Sequence, residues 1–285
     1  MNILIIGFGR AGKRHAKLLH SMGITTGLFD INGIKYSDID KIYGGDTPPI
    51  YQDFNDATRN NVWDIAVIAT PPKSHLWYIR ECLVRNMWVS CEKPLTSFGK
   101  IHEAEYLLSI KLPLERVQVQ YNYRFNPDLQ EFDAKIKSHA WQFVATQHRL
   151  VLPEWGLLLD HCSHDIDMIR WMSKENFNIL DATHNIISNT TDQFVINGKM
   201  DDGTLVYIMD EVNLVNDKHP RMAKIFSPNG YMEVTPNSQM FVKMWESFFE
   251  SYRLGLPQEP GFMSALETQR ILQDAFEKTN VVTYS

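Results

Sequence analysis

The chain has 285 residues, 44% of them hydrophobic and 22% charged, which allows two ordinary globular domains and argues against disorder. A formal net charge of -6, without a run of Lys or Arg, argues against a nucleic-acid surface. The N-terminal apolar run, residues 3–6, is too short for a signal sequence or a membrane span, so we expect a cytoplasmic protein. Cys82, Cys91 and Cys162 lack CxxC spacing, which predicts reduced, mostly buried thiols.

The first part of the chain alternates short apolar runs with amphipathic stretches, as strands and helices in turn do. Strands are predicted at residues 2–6, 25–29, 62–70, 87–91 and 117–121. Helices are predicted at residues 13–22, 74–85 and about 101–109, the first of them ended by Gly23. This alternation predicts a mainly parallel sheet covered by helices.

From about residue 140 the pattern changes, because strand-like runs follow one another with only turns between them. Strands are predicted at residues 141–149, 194–200, 205–212 and 221–226, with a tight hairpin at Asp202-Gly203. Helices are predicted at about residues 163–172, 241–253 and 263–278. We therefore predict an α/β protein of two domains, residues 1–121 and residues 122–285, the second with an antiparallel sheet.

A glycine-rich turn follows the first predicted strand and opens the first helix. Gly7 allows the tight turn, Gly9 lets the backbone approach a pyrophosphate, and Gly12 lets helix and strand pack closely. Asp30 ends the second strand, where it can accept hydrogen bonds from a ribose diol. Because a carboxylate opposes a 2′-phosphate, NAD is expected rather than NADP, although Lys35 lies close by. The predicted cofactor-binding residues of this turn are Gly7, Phe8, Gly9, Arg10, Ala11 and Gly12.

Two further segments follow predicted strands at their carboxyl ends, the edge where open α/β sheets bind ligands. At such an edge Lys93 can donate to a substrate oxygen and favour deprotonation of a nearby hydroxyl. The alternatives are an ordinary surface lysine and a proline-marked helix start capped by Ser74. The predicted cofactor-binding residues of these segments are Ala69, Thr70, Pro71, His75, Glu92 and Lys93.

These motifs, together with two later segments, carry a resemblance to a known family. The later segments are NYRFNP at residues 122–127 and DHCSHDID at residues 160–167. The chain resembles, nearly end to end, the Gfo/Idh/MocA family of sugar and inositol dehydrogenases. The resemblance implies an N-terminal Rossmann dinucleotide-binding domain and a C-terminal α/β domain with a large, mainly antiparallel open sheet. It also implies a homo-oligomer, a dimer or tetramer formed through that sheet.

The family assigns catalysis to a lysine, an aspartate and a histidine, which match Lys93, Asp160 and His164. Oxidation of an alcohol moves a hydride to the nicotinamide while a base takes the hydroxyl proton, and an imidazole suits that role near neutral pH. Asp160 precedes His164 by four residues, so in a helix its carboxylate can orient the imidazole. We expect an NAD-dependent dehydrogenase or reductase acting on a CH–OH group of a sugar, a nucleotide-linked sugar or a cyclitol.

The remaining substrate-binding candidates are weaker, because each has an ordinary structural alternative. Tyrosine and tryptophan are often packing residues, a lone histidine on a strand is more often structural, and Arg124 can simply pair with an acid. Asp167 is expected to tie down its helix, and the methionines and tryptophans are interpreted as core. The predicted substrate-binding residues are Lys93, Tyr123, Arg124, His148, Trp155 and His164.

Other classes of function compete with this interpretation. The histidines and aspartates of residues 160–167 raise the possibility of a metal site, but HExxH spacing and a thiolate partner are missing, so no metal is expected. A sensor or regulatory protein could bind the dinucleotide without turnover, and a reductase could act on a non-sugar ring. The lysine, aspartate and histidine argue against the sensor, and the glycine turn with Asp30 argues against a structural scaffold.

Overall fold

The computed structural model describes residues 1–60, 62–133, 140–149, 156–214, 222–227 and 230–284. The chain divides into two compact units. The first comprises Met1–Gln120 and Trp245–Met263, and the second comprises Tyr121–Met244 and Ser264–Ser285. The first unit therefore includes residues 245–263, which lie in the second of the two contiguous domains expected from the sequence.

The first unit is built on a six-stranded parallel sheet with the strand order β3-β2-β1-β4-β5-β6. The order reverses between β1 and β4, the switch point where such folds bind ligands. Its elements in chain order are β1 (Asn2–Ile6), α1 (Arg10–Ser21), β2 (Thr25–Phe29), α2 (Tyr36–Tyr43), β3 (Ile50–Tyr51), α3 (Phe54–Thr58), β4 (Ile65–Ile68), α4 (His75–Val84), β5 (Trp88–Cys91), α5 (Ile101–Ser109) and β6 (Val117–Val119).

The central strands of this sheet are apolar without alternation. Residues 3–6 of β1 and residues 65–68 of β4 are all fully buried. A strand buried on both faces needs such a continuous run, which is why β1 was predicted to the residue. The strand predicted at residues 62–70 is also present but shorter, at Ile65–Ile68. The first helix begins at Arg10 rather than at residue 13, because Gly9 already has the extended N-cap conformation.

The second unit is built on a seven-stranded mixed sheet with the strand order β12-β11-β7-β10-β9-β8-β13. A π-helical turn, Leu158–Cys162, precedes α7. The elements after the first unit's sheet are α6 (Pro127–Asp133), β7 (Ala140–Arg149), α7 (Ser163–Ser173), β8 (Phe177–Ser188), β9 (Thr191–Met200), β10 (Leu205–Leu214), β11 (Met222–Ser227), β12 (Gly230–Val234), α8 (Ser238–Leu254), α9 (Phe262–Glu277) and β13 (Thr279–Thr283).

The predicted α/β fold with a large, mainly antiparallel second sheet is confirmed, with two exceptions in the pairing. β7 pairs with β10 in parallel and β8 pairs with β13 in parallel, whereas the other four pairings are antiparallel. The predicted hairpin between β9 and β10 is also confirmed, since Gly203 has φ +93° and the Asp202 carboxylate accepts from the Thr204 amide at 2.8 Å.

One long strand, β8, was not predicted. Its twelve residues include Asn, Asp, Thr, His and Ser, so no apolar alternation marks it in the sequence. Its pairing with β9 over most of its length forms the strand. Among the described helices, none combines the length and apolarity needed to cross a membrane.

Candidate active site

The glycine-rich turn leaves β1 at the switch point and starts α1. Gly7 has φ +91°, and a Cβ there would lie 2.7 Å from the Ala69 carbonyl oxygen. A Cβ on Gly12 would lie 1.9 Å from the Gly7 carbonyl oxygen, so the turn closes only with glycine at both positions. Gly9 is exposed, and a Cβ there would meet nothing within 4 Å. The space above Gly9 and the free amides of the α1 N-terminus together form a place for an anionic group.

The flanking residues of this turn differ in exposure. Phe8 is buried, Arg10 is exposed and Ala11 is half-buried. Asp30 follows β2, where one carboxylate oxygen accepts from the Phe8 amide at 2.6 Å and the other accepts from the Asn32 amide at 2.9 Å. Each carboxylate oxygen has a further lone pair, so Asp30 can still accept from a hydroxyl.

The tips of β4 and β5 lie beside the turn and are joined by His75. The imidazole is fully buried, with Nδ1 2.9 Å from the Pro94 carbonyl oxygen and Nε2 2.7 Å from the Thr70 carbonyl oxygen. Burial lowers the pKa of His75, and the two carbonyl contacts and Glu92 oppose that effect. His75 therefore connects the segment after β4 with the Glu92-Lys93-Pro94 segment after β5. Ala69 and Thr70 are half-buried and Pro71 is exposed.

Glu92 carries a buried negative charge at the tip of β5. Its Oε1 accepts from Arg14 Nη2 at 2.6 Å and from His15 Nε2 at 3.0 Å. Burial alone would raise the pKa of Glu92, but the His15 hydrogen bond and the charges of Arg14 and Lys93 outweigh it and lower the pKa to about 2. Lys93 is half-buried, next to this carboxylate in the chain. Three of the sequence-predicted cofactor segments thus meet at one edge of the first sheet.

The predicted catalytic segment lies in the second unit, where it spans the π-helical turn and the start of α7. His164 is half-buried, and its ring contacts the edges of Tyr123 at 5.0 Å and Tyr121 at 6.2 Å between centroids. Asp160 lies on the π-helical turn, so the α-helical spacing used to pair it with His164 does not apply there. Its Oδ2 lies 4.0 Å from His161 Nε2. The orienting role of Asp160 stays a prediction.

Arg124 forms a buried two-pronged ion pair with Asp167. Its Nε and Nη2 donate to the two carboxylate oxygens at 2.7 and 2.6 Å, and Nη2 also donates to Ser264 Oγ at 2.8 Å. Thr268 adds a hydrogen bond to the same carboxylate at 3.1 Å. The prediction that Asp167 fixes its helix to neighbouring segments is confirmed, and the ion pair accounts for the burial of Arg124 without a ligand.

A pocket of about 380 Å³ lies beside this ion pair. It is lined by Arg124, Arg170, Trp171, Lys174, Glu175, Asn176 and Ser264.

For two of the predicted substrate-binding residues, the structure describes no side chain. His148 lies on β7, where the structure describes the backbone, and Trp155 lies outside the described residues. Tyr123 is buried in the short 3-10 turn Asn122–Phe125 and contacts the His164 ring. Their roles in substrate binding stay predictions.

The three cysteines are buried and not disulfide-bonded, as predicted. Burial raises the pKa of Cys82 and Cys91, so neither is a reactive thiolate at neutral pH.

A buried group of side chains in the described part of the second unit could hold a metal ion. Its ligand atoms lie within 4.8 Å of one another and belong to Cys162, Asp165 and Asp210. Of these three residues, only Asp165 is one of the histidines and aspartates of residues 160–167 that the sequence analysis considered as metal ligands.

Comparison with known families decides the assignment of residues 1–121. Residues 1–121 match the model of an oxidoreductase family with an NAD-binding Rossmann fold. The matched family is that of the Gfo/Idh/MocA oxidoreductases. The resemblance inferred from the motifs is therefore confirmed, with the glycine turn, Asp30 and the Glu92-Lys93 segment all inside the matched region.

Relatives of known function are similar over more than this domain. An inositol 2-dehydrogenase of Rubrobacter xylanophilus is 28% identical over 192 residues, which is 60% of this chain and 52% of the relative. The chain thus matches that relative over about half of the relative's length.

Solved structures share the fold over almost the whole chain. The myo-inositol dehydrogenase of Lactobacillus casei, solved with NAD(H) and myo-inositol, has a TM-score of 0.80 at 13% identity and covers 98% of this chain and 94% of that one. A myo-inositol dehydrogenase of Corynebacterium glutamicum has a TM-score of 0.78 at 16% identity, covering 98% and 96%. At such identities the likeness shows the fold.

Within the first unit, two buried residues near the Glu92 segment had no local signal in the sequence. The two residues are His15, on α1, and Trp245, which was interpreted as core like the other tryptophans. The indole nitrogen of Trp245 donates to His15 Nδ1 at 3.3 Å across 230 positions of the chain. The local sequence holds no signal for a contact of that range.

Proposed function

We propose that the protein is an NAD-dependent dehydrogenase that moves a hydride between nicotinamide and a hydroxyl-bearing carbon of a cyclitol, a sugar or a nucleotide-linked sugar. The observation that carries the proposal is the convergence, at the switch point of an oxidoreductase-family sheet, of the glycine turn, Asp30 and the Glu92-Lys93 segment. A lysine beside a buried carboxylate at that edge has a chemical use in turnover, which a dinucleotide sensor does not require.

The residues of the first unit fit NAD in charge and space. The open region above Gly9 and the α1 amides suit the pyrophosphate, and the Asp30 carboxylate suits a ribose diol. The same carboxylate would repel a 2′-phosphate, which favours NAD over NADP. Asp30→Ala should weaken the binding of NAD and reduce the ratio of the affinities for NAD and NADP. Titration calorimetry with both dinucleotides measures these affinities. An unchanged preference would contradict the assignment of Asp30.

The chemistry needs one group that takes a proton and one that holds the reacting oxygen. When bound, nicotinamide accepts the hydride from carbon. We assign the removal of the hydroxyl proton to His164, whose imidazole contacts the Tyr121 and Tyr123 rings. We assign to Lys93 the hydrogen bond to the reacting oxygen, because its ammonium stabilises the alkoxide as the proton leaves. Asp160 is assigned to the orientation of His164.

The substrate class is drawn from similarity. The relatives named above are inositol dehydrogenases, one of them solved with NAD(H) and myo-inositol. A cyclitol is therefore the first substrate to test, followed by free aldoses and nucleotide-linked sugars.

The test combines ligand identification with turnover. Native mass spectrometry of the purified chain should find bound dinucleotide, and NADH absorbance should rise when NAD and a panel of inositols, aldoses and nucleotide sugars are supplied. His164→Ala should lower kcat by about 10²–10⁴-fold while leaving NAD affinity nearly unchanged. His184→Ala, which removes a histidine of β8 hydrogen-bonded to Asp192, is the matched control. NAD binding without turnover of any member of the panel would favour the sensor.

We also propose that the second sheet forms a homo-oligomer contact. Tyr207, Met209 and Val195 are half-exposed apolar residues on neighbouring strands, and Met209 lies opposite Val195 in the register. Apolar side chains grouped on one sheet face favour a partner surface. Met209→Asp should lower the mass measured by light scattering after gel filtration. An unchanged mass, or a monomeric parent protein, would contradict this contact.

A further inference from the structure

Glu92 is the nearest buried charge along the chain to the proposed substrate lysine. Glu92 immediately precedes Lys93 in the chain, and it is 8% exposed. The same oxygen, Oε1, accepts from Arg14 and from His15. The carboxylate position therefore depends on the two residues of α1 that hold it.

The direction of the hydrogen bonds through His15 follows from Trp245. An indole N–H can only donate, so His15 Nδ1 must accept the 3.3 Å contact from Trp245 Nε1. A neutral imidazole that accepts at Nδ1 carries its hydrogen on Nε2. Nε2 therefore donates to Glu92 Oε1 at 3.0 Å, and Glu92 accepts. The three side chains form one chain of hydrogen bonds with a single direction.

The indole is held in one orientation by aromatic packing. Trp245 is fully buried, stacks on Phe249 at 5.3 Å and contacts the edge of Phe248 at 5.5 Å between ring centroids. His15 is also fully buried. Because neither group reaches solvent, water cannot readily replace a lost N–H donor in this chain.

We propose that Trp245 and His15 are positioning residues that act on Lys93 through Glu92. This inference rests on the proposed dehydrogenase function. Trp245 sets the His15 tautomer, His15 sets the place of the Glu92 carboxylate, and that carboxylate attracts the adjacent ammonium. Trp245 comes from the segment that returns to the first unit near the end of the chain, so this segment contributes to the site as well as to the fold.

The experiment compares two tryptophans of the first unit that each donate one buried hydrogen bond. Trp245→Phe removes the donor to His15 and keeps an aromatic ring against Phe249. Trp63→Phe is the matched control, because Trp63 Nε1 donates to the Ala57 carbonyl oxygen at 2.6 Å and has no part in the Glu92 contacts described. Each variant loses one hydrogen bond donated by an indole N–H, so the two melting temperatures should fall by similar amounts. Only Trp245→Phe should lower kcat, by about 3- to 10-fold with KM values within about twofold.

A second series tests the donor at His15. In His15→Gln the side-chain amide can still donate towards Glu92, whereas His15→Leu has no donor. We expect kcat to fall in the order parent, His15→Gln, His15→Leu. Equal kcat in the two variants would overturn the positioning role.

Two spectroscopic readouts decide the inference without turnover. In histidine-labelled protein, the nitrogen resonance of His15 Nδ1 should move in Trp245→Phe and stay in place in Trp63→Phe. In reductively methylated protein, the labelled methyl resonance of Lys93, assigned with Lys93→Arg, should move in Trp245→Phe and His15→Leu and not in Trp63→Phe. A moving His15 resonance with a stationary Lys93 resonance would overturn the inference. A parent protein that binds NAD but oxidises no polyol would instead contradict the proposed function.

Discussion

Replacement of Glu92 by glutamine tests whether the buried carboxylate stabilises the first unit through its charge. Glutamine has nearly the shape of the protonated acid, so Glu92→Gln resembles the parent protein with Glu92 neutral. Arg14 and His15 would keep an acceptor at this position but lose the charge opposite them. The variant therefore isolates the electrostatic part of the contact.

The magnitude follows from the pKa of Glu92. A fall from the ordinary 4.5 to about 2 in the folded protein stabilises the ionised form by about 3 kcal/mol relative to the acid. Because the folded pKa is the lower one, this stabilisation is present in full well above pH 4.5 and is lost as the pH falls towards 2. At about pH 3 it has fallen to about 1.4 kcal/mol.

The assay is thermal denaturation followed by circular dichroism at neutral and acid pH. Glu92→Gln should melt roughly 5–10 °C below the parent protein at neutral pH, and the gap should narrow to less than half near pH 3. Glu81→Gln is the control, because Glu81 pairs with Arg85 nearer the surface of the same unit and should change the melting temperature little at either pH. A gap of equal size at both pH values would refute the electrostatic reasoning.

Two further substitutions test buried contacts of each unit. Asp167→Asn leaves the Arg124 guanidinium buried without its counter-charge and should cost about 3–5 kcal/mol of unfolding free energy in urea denaturation. Glu233→Gln, at an exposed ion pair, should cost less than about 1 kcal/mol, and equal losses would contradict the role of the buried pair. Gly12→Ala places a methyl group 1.9 Å from the Gly7 carbonyl oxygen, so the turn must open. We expect weaker NAD binding in calorimetry and a stability loss of about 1–3 kcal/mol, whereas a fully retained affinity would argue against the closed turn.

The parts of the protein that the sequence determined by itself are those set by neighbouring residues. β1 and β2 were predicted to the residue, because continuous apolar runs bounded by turn residues mark buried parallel strands. The glycine turn with Asp30 was also predictable, since a backbone with φ +91° at Gly7 leaves few other residues possible. The Asp202-Gly203 hairpin belongs to the same class of local signal.

Tertiary structure alone decided the features that depend on distant partners. β8 is a polar strand formed by its pairing, and the parallel pairing of β7 with β10 joins strands separated by two others in the chain. The π-helical turn removed the helical spacing expected between Asp160 and His164. The contact of His15 with Trp245 spans 230 positions and gives the Glu92 hydrogen bonds their direction. Local sequence records which residues can turn, cap or be buried, whereas the identity of a hydrogen-bond or strand partner is settled only when the folded chain brings distant segments into contact.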